Sequence, residues 1–447
     1  MKYTAISLLF FLLIGPVVNA QDSIPMVGGG IARQASLQEC IDYALEHQAT
    51  VQQALIDEEI GKKDIASALS GWYPQLRADA SYNYNIRIPT NVIGGQVIQF
   101  GQKNVAALVF QADQTILDPA LLQASKAAKY IKLQNAQNTE SNRINITVAV
   151  SKAFYDILTS EEQIKIIDEN IARIKRQLSD AKAQYEAGLV DKTDFKRAQI
   201  TLGTTEADRK RTEETLKYKY AFLKELIGTD VNSDLQLSYD DDTMEREMLM
   251  DTTQTLDYNR RIEYQQLQTQ SKLQQLNTSY NRWTFLPNIS AFYNYAWDYR
   301  EDHFSRLFNV DYPRSVLGVT LSLPIFQGTR RIQEIRKSKL QEERIDWEIT
   351  NVKNQINTQF QEALASYKAS LNDWKTAKEN VELSKDVYNT IKLQYDAGIK
   401  TYLDLMTAET DLRTTQINYI NTLYAVLSSK LDIQQAQGDI QFKSTNY

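Results

Sequence analysis

The sequence predicts a mainly helical protein with a membrane β-barrel, built from two repeats, each a long antiparallel α-helical hairpin joined to a two-stranded β-hairpin. Three observations predict it. The 447 residues include only 16 Gly and 8 Pro, roughly half of average usage. No proline falls between Pro119 and Pro287 or after Pro324, and no glycine between Gly101 and Gly188 or between Gly328 and Gly398. The residues that interrupt helices are thus missing where long helices would run. Second, Gln184-Tyr185-Glu186-Ala187-Gly188 returns 210 positions later as Gln394-Tyr395-Asp396-Ala397-Gly398, with Asp194/Asp404, Ala198/Ala408, Leu202/Leu412 and Gly228/Gly438 in the same register. That is an internal duplication. Third, an apolar/polar alternation of period two precedes each helical stretch.

Residues 1–20 read as a secretory signal peptide, with Lys2 at the start, an apolar core from Ala5 to Gly15 and a small-residue cleavage site at Val18-Asn19-Ala20. Residues 21–35 form an N-terminal extension. The first repeat covers 36–230, with strands at about 75–87 and 103–117. A linker, 231–255, leads to the second repeat, 256–438, with strands at about 288–300 and 315–326, and 439–447 is a tail. Ser36-Leu37-Gln38-Glu39 is a capping box that makes Cys40 an ordinary helix residue. No run reaches 18 apolar residues, so entry into a membrane requires strands closed into a barrel.

The strand patterns suit that role. Leu76, Ala78, Ala80, Tyr82, Tyr84 and Ile86 alternate with Arg77, Asp79, Ser81, Asn83, Asn85 and Arg87. After Pro287, Ile289, Ala291, Tyr293, Tyr295, Trp297 and Tyr299 share one face. Lipid outside and water inside would select such faces. The returning strands are less regular. The connections, about Ile88 to Gln102 and Glu301 to Arg314, are expected to be extracellular loops.

The arms follow. Ile164, Ile167, Ile171, Ile174, Leu178, Ala181 and Tyr185 are spaced alternately by three and four, as are Trp374, Ala377, Val381, Ser384, Tyr388, Ile391 and Tyr395. This is the spacing of a left-handed coiled coil. Leu383 and Val387 add a second apolar face, as a wall of helices needs. Gly188 and Gly398 end the arms, and Asp191 and Thr401 start the returning helices, where Thr401-Tyr402-Leu403-Asp404 resembles a capping box. Four strands cannot close a barrel. A dimer would give eight strands and a filled interior, a trimer twelve and a lumen, which the polar inner faces favour.

Composition excludes other classes. Two histidines, His47 and His303, give no helix-face metal pair, and a single cysteine allows no internal disulfide. Phosphate-binding glycine loops are missing. The net charge of −6 arises from 50 basic and 56 acidic residues that are well mixed, unlike a nucleic-acid binder. No cofactor, resident metal or enzymatic activity is expected. The Asp240-Asp241-Asp242 run reads as a solvated turn before it reads as a cation site.

Trp72-Tyr73-Pro74-Gln75-Leu76 and Phe285-Leu286-Pro287-Asn288-Ile289 ahead of the strands, Leu323-Pro324-Ile325-Phe326 after them, and the two Tyr-x-Ala-Gly tips resemble the TolC-like outer-membrane efflux proteins. The resemblance runs from Ser36 to Gly438. It implies a homotrimer with a twelve-stranded barrel and a periplasmic α-barrel. The function implied is the exit duct of a tripartite efflux pump or type I secretion system, working with a periplasmic adaptor and an inner-membrane transporter. A secreted periplasmic coiled-coil scaffold without a pore is the alternative.

The resemblance also marks residues. Asp404 matches the first of two gate aspartates, but Thr407 stands at the second place, so the acidic constriction is either a single ring or placed elsewhere. Tyr395, Lys400, Thr193 and Asp194 match positions that latch the tip, and Gly188 and Gly398 lie where an adaptor would dock. Each has a plainer role. Asp404 and Asp194 suit the first turn of a helix, Tyr395 fits the heptad core, Lys400 suits a solvated loop, and the glycines suit backbone geometry. The chain departs from lipidated relatives in having no cysteine directly after the signal.

Overall fold

The structure, a computed structural model, describes residues 34–188, 191–239, 248–251 and 255–440. The expected signal peptide, the Asp240-Asp241-Asp242 run and nearly all of the tail lie outside these residues. β1 (Gln34–Ala35) leads into α1 (Leu37–His47), and α2 (Ala49–Leu69) follows after a break at Gln48. Next come β2 (Gln75–Tyr84), a small hairpin of β3 (Thr90–Ile93) and β4 (Gln96–Gln99), and β5 (Asn104–Leu117). α3 (Pro119–Glu186) and α4 (Lys192–Ile227) complete the first repeat. After β6 (Gln236–Leu237), the second repeat runs α5 (Ile262–Trp283), β7 (Asn288–Glu301), β8 (Asp311–Ser322), α6 (Arg330–Asp396) and α7 (Tyr402–Gln437).

At about 1.5 Å per residue, the 68 residues of α3 and the 67 of α6 each span about 100 Å. Asp118 caps α3 by accepting from the amides of Ala120 and Leu121, and Pro119 occupies the first helical position, where its missing N–H costs nothing. The arms end at Gly188 and Gly398, with φ of +73° and +75°. One feature went unread in the sequence. α2 and α5 run along the sheet-proximal parts of α3 and α6, while α4 and α7 pack toward the tips. α3 packs in addition along α5 and α7, so it joins the two repeats.

The shorter helices meet at a waist. There Ile41, Phe154, Leu158, Leu223, Tyr367 and Leu427, from α1, α3, α4, α6 and α7, belong to one buried cluster. Gly228 and Gly438, 210 positions apart, end α4 and α7 in left-handed conformation, and each lies against the chain that starts the repeat's sheet-bound helix. A Cβ on Gly228 would sit 2.7 Å from the His47 carbonyl oxygen, and one on Gly438 2.4 Å from that of Arg260. Buried Tyr367 also holds the linker, accepting from the Met250 amide and donating to the Met248 carbonyl. β1 pairs in parallel with β6.

The main sheet has the order β2-β5-β7-β8, every neighbour antiparallel. Its register aligns the two faces across both repeats. Leu76, Ala112, Tyr293 and Leu317 stand side by side, as do Ala80, Leu108 and Trp297, whereas Arg77, Gln111 and Asn294 share the opposite face. The Arg77 guanidinium donates to the Gln111 side chain at 2.5 Å. On that same face, opposite Phe292, stands Gly318, where a Cβ would lie 2.5 Å from the ring.

Three strand bounds differ from the expectation. β2 ends at Tyr84 rather than about 87. β8 starts four residues early, at Asp311, and ends at Ser322, because Pro324 has no N–H to extend the ladder; Pro313 is tolerated near the start of β8, which is an edge strand within one chain. The connection read as a loop from Ile88 to Gln102 holds the β3–β4 hairpin. Its turn is Gly94-Gly95, with φ of +58° and +83°, and this pair flanked by alternating residues is the signal that reading passed over.

Replacing Gly228 by Ala should destabilise the waist by about 2 kcal/mol or more, since left-handed strain adds to a backbone clash. Gly398→Ala, with similar φ and nothing within 4 Å, should cost only the strain, about 1–2 kcal/mol. Thermal unfolding of the purified variants checks the order.

Candidate functional site at the helix tips

The tip of the second hairpin is organised around the start of α7. Thr401 is its N-cap, and Thr401 with Asp404 forms a complete capping box. The Asp404 carboxylate accepts from the Thr401 amide at 3.0 Å and from its hydroxyl at 2.8 Å, and the Asp404 amide donates back at 3.3 Å. Lys400 Nζ lies 3.9 Å from the other carboxylate oxygen. The Thr401 hydrogen bonds, side chain first, hold the Asp404 carboxyl below its ordinary value, with a smaller contribution from Lys400. Thr407 stands on the exposed side and donates its hydroxyl to the Leu403 carbonyl at 2.9 Å.

On the first hairpin, Asp191 caps α4 by accepting from the amide and hydroxyl of Thr193, both at 2.9 Å. Thr193 is therefore engaged within its own hairpin, as Lys400 is within the second. The chain brings together Tyr395, Tyr402 and Asp194. The two rings meet edge-on with centroids 6.3 Å apart. Burial first, and then the nearby Glu409, Tyr395 and Asp194, push the Tyr402 hydroxyl up to about 12. Tyr395 is also raised, mainly by burial, with a hydrogen bond to Gln184 opposing. Gly188 and Gly398 sit at the two turns with open space around them.

One buried group was missed by the sequence reading. Glu409, in α7, has a side chain only 5% exposed. Its carboxylate accepts from Asn170 Nδ2 at 3.0 Å, Arg173 Nε at 3.1 Å and Gln177 Nε2 at 2.7 Å, all on α3. Burial pushes this carboxyl up; the donors, Gln177 first and then Arg173, offset that only in part. The signal was present: a lone charge among the apolar positions Tyr402, Leu405, Ala408 and Leu412.

Among the described residues no helix is long and apolar enough to cross a membrane, and no group of three His, Cys, Asp or Glu could hold a metal ion. Two duplicated helical arms on a sheet with one apolar face define a class, the helical proteins anchored in a membrane by β-strands. The chain belongs to the outer membrane efflux protein family, whose signature matches residues 40–229 and 253–439. Its place is the outer membrane, and its function is that of an efflux or secretion channel. It is 20% identical to the outer membrane protein TolC of Vibrio cholerae over 412 residues, 91% of each chain. The proteases secretion protein PrtF of Dickeya chrysanthemi is 19% identical, over 93% of this chain and 90% of the relative. The crystal structure of the outer membrane protein VceC from Vibrio cholerae superposes with a TM-score of 0.73 at 15% identity, covering 90% of this chain and 96% of that one.

The depressed Asp404 carboxyl gives the α7 start a pH dependence. Its capping contribution is fully present above the ordinary value of 3.8 and is lost as pH falls through the lower folded value. Amide exchange at the first turn of α7, corrected for intrinsic rates, should accelerate in that acid range. In Asp404→Asn this step should be missing.

Proposed function

We propose that three copies of the chain join edge to edge, making a twelve-stranded barrel continuous with a periplasmic α-barrel built from the helical arms, and that this assembly is the passive exit duct of a tripartite pump or type I secretion system. The observation that carries the reading is the four-stranded sheet. It has one face rich in Leu, Tyr and Trp, and its outer strands β2 and β8 are paired on one side only. Unpaired backbone groups are not tolerated against lipid, and bacterial barrels have at least eight strands. Exposed apolar residues along the arms, including Leu340, Trp347, Leu383 and Val387, fit burial against neighbouring copies. In this reading 36–230 and 256–438 are the two repeats, 231–255 contributes to a collar at the waist, and a cleaved signal peptide at 1–20 sends the chain through the inner membrane.

The duct performs no catalysis and needs no cofactor; an inner-membrane transporter supplies the energy and a periplasmic adaptor docks near Gly188 and Gly398. Three Asp404 carboxylates ring the mouth, with Thr407 one turn further along α7. Tyr395, Lys400, Thr193 and Asp194 form the latch. Since Lys400 is paired with Asp404 in its own chain, it would reach Thr193 or Asp194 only by changing partner, and an exposed pair worth about 1 kcal/mol or less permits that exchange.

Planar-bilayer conductance together with the oligomeric mass of the purified protein tests the duct. A conducting trimer is expected, whereas a water-soluble, all-helical product without conductance would favour the periplasmic scaffold. In Asp404→Ala, block by divalent cations should weaken, because the carboxylate ring is gone; unchanged block would remove Asp404 from the gate. Lys400→Ala should raise open probability; unchanged conductance would remove Lys400 from the latch.

A further inference from the structure

The seam between the two hairpins differs from the packing inside them. Within the second hairpin, Tyr388 of α6 closes on Leu405, Ala408 and Leu412 of α7 as an apolar cluster. Beyond the apolar cluster of the waist, the hydrogen bonds between α3 and the second hairpin are polar and periodic. Gln163, Asn170, Gln177 and Gln184 follow one another at seven-residue intervals and so share one face of α3. Gln163 Nε2 donates to Asn421 Oδ1 at 2.7 Å, Asn170 and Gln177 donate to Glu409, and Gln184 bonds Tyr395.

Glu409 is the centre of this ladder. Both of its oxygens are used by α3. Arg173, its charged partner, also lies 3.7 Å from Glu169 and 6.0 Å from the Tyr388 ring centroid, and its Nη2 atom is buried without a hydrogen-bond partner. A buried ion pair of this kind adds little stability over apolar residues of the same shape. Its value lies in alignment. Only one register of α7 on α3 gives the carboxylate all three donors, and a slip of one turn would leave a buried charge unpaired, as a polar residue does in a coiled-coil seam.

We propose that Glu409 is a positioning residue that sets the register of α7 against α3 and thereby fixes where Asp404 and Thr407 stand at the tip. The consequence for conduction rests on the duct reading above; the register itself does not. Hydrogen–deuterium exchange of the purified full-length protein reads how firmly α7 is held on α3, and bilayer conductance of the same samples reads the consequence for the mouth.

In Glu409→Leu and in Arg173→Met, exchange over Tyr402–Leu412 should accelerate about tenfold or more, while Leu423–Ala436 at the waist keeps its wild-type rate. Glu409→Gln, which keeps the shape and part of the bonding, should stay within about threefold. Wild-type exchange in both truncating variants, or equal acceleration at the tip and the waist, would overturn the proposal. Should those variants fail to fold, Asn170→Leu and Gln177→Leu each remove one neutral donor and should accelerate the same segment several-fold; wild-type rates there would overturn it equally. Glu409→Leu channels should also fluctuate among several conductance levels. A wild-type protein that does not conduct defeats the duct and leaves the exchange result to decide the register.

Discussion

The waist carries the structure. Phe154, Ile157 and Leu158 of α3, Tyr367 of α6, and Leu423 and Leu427 of α7 are buried there together with Ile41 of α1 and Leu223 of α4. No other place in the described chain gathers side chains from both repeats and from the N-terminal helix into one apolar cluster. Away from it the molecule is thin: long helices packed side by side have too few neighbours to bury residues on every face, which is why Leu383 and Leu393 stand 63% and 71% exposed. The sheet and the tips are projections from this knot, each of which finds its own means of order.

Those means differ at the two ends. In the sheet, the alternation of apolar and polar residues sets the register, because a slip of one residue would carry every side chain to the wrong face of the backbone ladder. At the tips there is no ladder to do this. Position is instead set by caps, at Asp191 and Thr401, and by the buried polar contacts between α3 and α7. Apolar packing alone would hold α7 against α3 without strongly preferring one turn over the next, because side chains of similar size interchange easily. Hydrogen-bonded groups are less forgiving.

What the sequence disclosed follows the same division. Period two, period three-and-four, and the placement of Pro and Gly are local patterns, so the strands, the long arms and the αL ends at Gly188 and Gly398 were legible residue by residue. The Thr401-to-Asp404 box was legible too, being contained in four residues. Contacts between repeats were not. Nothing in one copy's pattern announces that Asn170, Arg173 and Gln177 meet Glu409 more than 230 residues later. The placement of α2 and α5 beside the arms was hidden for a similar reason, since their partners lie on the far side of a membrane strand pair. Lys400 shows the limit from the other direction: the family resemblance implied a partner on the first hairpin, and within this chain Lys400 lies 3.9 Å from Asp404, four residues on.

The unequal lengths of the helices have a mechanical meaning. α3 and α6 pass the waist without a break, whereas α4 and α7 stop there at Gly228 and Gly438, and α2 and α5 begin anew on the other side. Two of the six arm helices, one in each repeat, are continuous struts and the other four are jointed. Bending stiffness therefore resides in α3 and α6, and compliance is concentrated where the jointed helices meet. A sideways push at the tip would reach the sheet through the struts almost undiminished, while the jointed helices could pivot about their glycine ends and leave the sheet at rest. Which of the two a force engages depends on where around the rim it is applied.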